Sequence, residues 1–143
     1  YARGVIVGLT RYVEKAHFVR AALEAIAFQT RDVIEMMADD IGTSLSSLKV
    51  DGGAIDNNFL MQFQADILGI PIIKPRIKEI TSLGAAYAAG LAIGLWNNTE
   101  ELREHWKAEK IIMPGMDIQQ REKQYKGWKR AVEKSKGWIE IDQ

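Results

Sequence analysis

The spacing of apolar positions changes several times along the chain, and each change marks a new element. Val5, Ile6, Val7 and Leu9 are apolar and largely β-branched, bounded by Gly4 with Gly8 near the end, which predicts a buried strand over 5–9. Over 14–40 the spacing becomes helical. Val19, Leu23, Ile26, Val33 and Met37 share one face, Thr30 interrupts the stripe, and Gly42 follows as a stop. Leu48, Lys49 and Val50 form a second short strand that ends in Asp51, Gly52, Gly53 and Ala54. A helix is predicted over 57–68, with Leu60, Phe63 and Ile67 inward and Gly69 as its terminator. Residues 70–73 read as an edge strand, because Pro71 lacks a ladder donor.

The 14 residues over 83–96 are all apolar or glycine, fewer than the roughly 20 needed to span a bilayer. Gly84, Ala85, Ala88, Ala89, Ala92 and Gly94 instead describe a small-residue helix pressed close to a sheet. Asn98, Thr99, Glu100 and Glu101 open another helix with a cap and an acidic first turn. Residues 110–113 form a last strand before Pro114 and Gly115, and a final helix over 117–136 turns Tyr125, Trp128 and Val132 inward. Strands alternating with helices indicate an α/β architecture.

Composition narrows the picture. A chain of 143 residues supports one domain with a sizeable core. Nineteen basic side chains balance nineteen acidic ones, which excludes a nucleic-acid binder held by bulk charge. At 47% hydrophobic and 27% charged residues the chain is not disordered. Without cysteine it has no disulfide, thiol nucleophile or thiolate metal site, which suits a reducing, cytoplasmic setting. It opens on Tyr1 rather than methionine and runs straight into an apolar stretch, so it reads as a piece of a longer protein.

One stretch offers chemistry. A strand that turns through Gly52 and Gly53 into a helix near Asn57 leaves backbone N–H groups free. With no side chains on the glycines, a flat or anionic ligand reaches the backbone, and the helix dipole adds positive charge there. The same pattern also describes a tight turn that binds nothing. No Gly-Lys-Ser/Thr follows and the three-glycine dinucleotide fingerprint is missing. Asp56 sits close for a phosphate cradle, so the sugar or base end of a nucleotide is the expected contact.

Elsewhere the residues have plainer readings. Asp39 and Asp40 close a helix, and Glu100 and Glu101 open one. His17 and His105 lack metal-ligand company, and no serine occupies a nucleophile elbow. The final helix carries seven basic residues against three acids, the pattern of a solvated face opposite an inward aromatic stripe.

Taken together, several motifs go further: Ala2-Arg3-Gly4 with Gly8-Leu9-Thr10-Arg11, the run Glu24-Ala25-Ile26-Ala27-Phe28-Gln29-Thr30-Arg31-Asp32-Val33, and Val50-Asp51-Gly52-Gly53-Ala54. They continue in Asn57-Asn58-Phe59-Leu60-Met61-Gln62-Phe63-Gln64-Ala65-Asp66, the small-residue helix from Leu83, and Pro114-Gly115. In this order they resemble the C-terminal part of the FGGY family of carbohydrate kinases over essentially all 143 residues.

The resemblance implies an actin- and Hsp70-like ATPase (ribonuclease H-like) fold, with residues 1–143 forming the later, nucleotide-side portion of the second domain of a two-domain kinase. It implies that Gly53 approaches ATP or ADP through its backbone, that Gly52 and Ala54 shape the turn, that Asn57 offers its side-chain amide, and that Asp51 fixes the loop. It also implies magnesium as cofactor, a homodimer or tetramer, and a catalytic aspartate and polyol site upstream of this chain, so no catalytic or metal-binding residue is expected here. Met61-Gln62-Phe63-Gln64-Ala65-Asp66 favours glycerol as phosphoryl acceptor. A pentulose or another polyol, a non-catalytic ATP-binding module and a purely structural domain are the alternatives. Asp56 departs from the family, whose members tend to carry a small neutral residue there.

Overall fold

In the computed structural model, which describes residues 1–139, the long helix α1 spans Lys15–Ile41. It starts where His17 Nδ1 accepts the Glu14 N–H at 3.0 Å and stops at Gly42, whose φ of 70° lets its N–H return to the Ala38 carbonyl. Then follow β1 (Leu48–Lys49), a 3-10 turn (Gly53–Asp56), α2 (Asn58–Leu68) and β2 (Ile72–Pro75). The chain continues through α3 (Ile80–Ala92), α4 (Thr99–His105), β3 (Ala108–Ile112) and α5 (Ile118–Lys134). Asn57, Asn98 and Asp117 cap α2, α4 and α5, each side-chain oxygen accepting an N–H from the first turn.

The sheet runs in the order β1-β2-β3, with β1 parallel to β2 and β3 antiparallel to it. The 3-10 turn and α2 make the crossover that the parallel pair requires. Leu48 pairs with Ile72, and Ile72 with Ile112, which stacks these side chains on one face. That face buries Ile72 and Ile112 with Leu60, Met61, Phe63 and Ile67 of α2. From α1, Phe28 joins this core, its ring edge-on to Phe63 at 5.5 Å and stacked on Trp128 of α5 at 5.5 Å.

Several expectations need correction. Residues 5–9 form no strand, because no strand of the described residues lies beside them. Val5, Ile6 and Val7 instead share a cleft with Phe18, Ala22 and Trp128. β2 is central rather than an edge strand. Pro71 precedes it and accepts from Leu48 N–H at 2.9 Å, and Pro75 ends it at a bulge, so neither removes an interior donor. On α1, Ala27 and Phe28 face the core, whereas Val19, Ile26, Val33 and Met37 are about half exposed or more. α3 does not press its small residues on the sheet. Trp96 folds back onto Gly90, where an added Cβ would lie 2.1 Å from the indole, and Tyr87 meets the same ring edge-on. The last strand and the last helix differ from the predicted bounds by about two residues at an end.

Candidate functional site

The glycine turn lies where β1 ends. Val50 still donates to the Ile73 carbonyl at 3.2 Å, and the chain then leaves the sheet. Gly52 has φ 81° and ψ 178°, a conformation that only glycine adopts readily. The next four residues coil into the 3-10 turn. Ile55 N–H returns to the Gly52 carbonyl at 3.3 Å and Asn57 N–H to the Ala54 carbonyl at 3.1 Å. The Gly53 and Ala54 N–H groups, first in the turn, make no backbone hydrogen bond among the described residues. Ile55, buried to 1%, pins the inner side of the turn to the core, leaving Gly53, Ala54, Asp56 and Asn57 outward.

Access to this backbone is open. A Cβ built on Gly52 or Gly53 meets no atom within 4 Å. Asn57 Oδ1 accepts the Leu60 N–H at 3.0 Å, while its Nδ2 has no partner among the described residues and remains a free donor. Gly52, Gly53, Ala54 and Asn57, the four residues expected at the site, therefore fall on one exposed turn. The expectation that Asp51 fixes the loop is not met, since its side chain is exposed and makes no hydrogen bond among the described residues.

Lysines do that work. The Gly52 N–H donates to the Lys78 carbonyl at 3.4 Å, and Lys78 Nζ lies 2.7 Å from Asp56 Oδ1 and 2.8 Å from Oδ2. Lys74, buried on β2, stands 3.9 Å from the same carboxylate. The hydrogen bond from Lys78 holds the Asp56 carboxyl below the usual range, and the bond to Asp56 raises Lys78. The Asp56 carboxylate is thus paired with two cationic partners. Sequence reasoning missed both lysines, because separations of 18 and 22 residues leave no local signal. Beside this segment Arg76, Ile77, Ile80, Leu83 and Trp106 line a cavity of about 290 Å3.

A second polar cluster, also missed, joins α1 to α5. Tyr125 donates its hydroxyl toward Asp32 at 2.5 Å and Glu35 at 2.9 Å, and Trp128 Nε1 donates to Asp32 at 2.7 Å. Arg31 lies 3.8 Å from the Tyr125 ring centre and donates to Glu35 and Glu122. Burial and the two carboxylate partners raise the Tyr125 phenol, so it stays protonated. The cluster fastens two helices. His17 serves as a helix cap, and among the described residues no group of three His, Asp or Glu converges to hold a metal ion. No described helix is long and apolar enough to cross a membrane.

Comparison with known proteins places these features in a family. Residues 1–93 match the model of the FGGY family of carbohydrate kinases, C-terminal domain. The chain is 57% identical to a glycerol kinase of Thermoanaerobacter sp. (strain X514) over 140 residues, 98% of this chain and 28% of the relative. It is 59% identical to a glycerol kinase of Chloroflexus aggregans over 139 residues, again 28% of that relative. The chain thus spans little more than a quarter of the curated relatives it matches. The crystal structure of Plasmodium falciparum glycerol kinase with ADP superposes with a TM-score of 0.84 at 36% identity, covering 98% of this chain and 28% of that one. A xylulose kinase from Rhodospirillum rubrum shares the fold at TM-score 0.75 and 23% identity, over 94% of this chain and 28% of that one. The expected fold, part of an actin- and Hsp70-like ATPase domain, is borne out.

Proposed function

Because the chain belongs to the FGGY family of carbohydrate kinases, we propose that residues 1–143 are the C-terminal, nucleotide-side part of a cytoplasmic glycerol kinase. The observation that carries glycerol is identity of 57–59% to glycerol kinases over almost the whole chain. The ADP in the 36%-identical structure supports a nucleotide as ligand, and the open glycine turn fits one.

In this reading Gly52 sets the turn, Gly53 and Ala54 present backbone N–H groups, and Asn57 adds its side-chain amide. Together they hold and orient the adenosine end of ATP. The reaction forms a bond from a glycerol hydroxyl oxygen to the γ-phosphorus and breaks the bond to the β,γ-bridging oxygen, which leaves with ADP. The hydroxyl proton passes to an acidic group. Magnesium, when bound, would supply charge neutralisation to the phosphates. Among the described residues no group of His, Asp or Glu converges as a ligand set for it, so no metal ligand is assigned here.

The test is ADP release by the intact protein carrying this chain, offered glycerol and a panel of pentuloses. Turnover with glycerol alone supports the reading. Turnover with a pentulose keeps the nucleotide turn and changes the acceptor, and ATP binding without turnover identifies a non-catalytic module.

A further inference from the structure

Lys78 holds the glycine turn at both ends. Its carbonyl accepts the N–H of Gly52, which precedes the turn, and its ammonium grips Asp56, which closes it. The contacts bracket Gly53–Asp56, and Asp56 directly precedes Asn57. Between them Ile55 is locked in the core. One residue therefore spans the outer side of the turn while the core fixes the inner side.

We propose that Asp56 and Lys78 are positioning residues for the nucleotide, a clamp that sets the turn against the 76–79 segment so that the Gly53 backbone and the Asn57 amide stand ready for ligand. The assignment rests on the nucleotide-turn reading above. It gives the Asp56 carboxylate a task at the turn, paired with Lys78 at 2.7 Å and with the buried Lys74 at 3.9 Å. A turn held before ligand arrives spares binding the cost of ordering it. Both partners are partly exposed, at 57% and 45%, so the clamp is modest and sensitive to salt.

The experiment is calorimetric ATP binding to the intact protein and to Asp56→Asn, Lys78→Met, the double variant and Lys78→Arg, at low and high salt, with Gly53→Val alongside. Asp56→Asn and Lys78→Met are each expected to weaken ATP roughly two- to five-fold, the range of an exposed ion pair. The double variant is expected to be no worse than the weaker single one, and Lys78→Arg to bind like wild type. High salt should shrink the differences, and the loss should appear in the KM for ATP and not in that for the acceptor. Unchanged or tighter ATP binding by Asp56→Asn, or additive losses in the double variant, overturns the clamp. If Gly53→Val loses ATP while Asp56→Asn does not, only the clamp fails; if Gly53→Val binds ATP normally, the turn assignment fails and takes the clamp with it.

Discussion

In the proposed reading Asn57 has two tasks, one at each end of its amide, and substitutions separate them. Its Oδ1 caps α2 by accepting the Leu60 N–H at 3.0 Å, and its Nδ2 has no hydrogen-bond partner among the described residues. Asn57→Ala removes both functions. Loss of the cap costs about 1 kcal/mol of stability. Loss of one ligand hydrogen bond costs about 1 kcal/mol of affinity, roughly a five-fold rise in the ATP Kd. Asn57→Asp differs. A carboxylate caps a helix as well as an amide and suits the N-terminal dipole, so stability holds. It offers no donor and brings negative charge toward an anionic ligand, so ATP binding should fall further than in Asn57→Ala. Isothermal calorimetry and thermal unfolding of the intact protein read the two effects apart. Wild-type ATP affinity in Asn57→Asp, or a loss of stability alone in Asn57→Ala, would refute the assignment.

Two further predictions concern the turn and the α1–α5 clasp. Gly52→Ala forces a side chain into a glycine-only conformation and should cost about 1–3 kcal/mol, whereas Gly53→Ala, with no atom within 4 Å of its Cβ, should change stability by less than about 0.5 kcal/mol; urea unfolding compares them. Burial pushes the Glu35 carboxyl up, but hydrogen bonds from Arg31 and Tyr125 outweigh it and hold the group below the usual range. Such a group stabilises the fold above the unfolded value near about pH 4.3 and loses that contribution as pH falls through the lower folded value. Arg31→Met should therefore be less stable than wild type near neutral pH and converge on it in acid, as urea midpoints across the pH range would show.

Features encoded over a few consecutive residues are legible in the sequence itself. Gly42 and Gly69 end α1 and α2 at φ 70° and 71°, and Asn98 caps α4, because these choices depend on local backbone chemistry. The facing of α1 is not legible in that way. Helical spacing identifies a helix, but Val19, Ile26, Val33 and Met37 make one apolar stripe while Ala27 and Phe28 lie in the core, and only the positions of α2 and α5 decide between them. Residues 5–9 have the composition of a strand, yet a strand exists only where a neighbour pairs with it. The candidate site shows the same division. Gly52, Gly53, Ala54 and Asn57 stand within six residues and announce a turn. Lys74 and Lys78 reach Asp56 only through the return of the chain along β2, a tertiary contact that leaves no mark on the local pattern.

That nucleotide rests on the bare backbone at Gly53, as proposed, is open to direct test. The most direct measurement is ATP binding to the intact protein with Gly53→Val, alongside a thermal unfolding control. A valine side chain enters space that the protein leaves open, so the fold should persist while ATP binding is abolished by the blocked approach. Wild-type ATP affinity in a folded Gly53→Val protein would contradict the account.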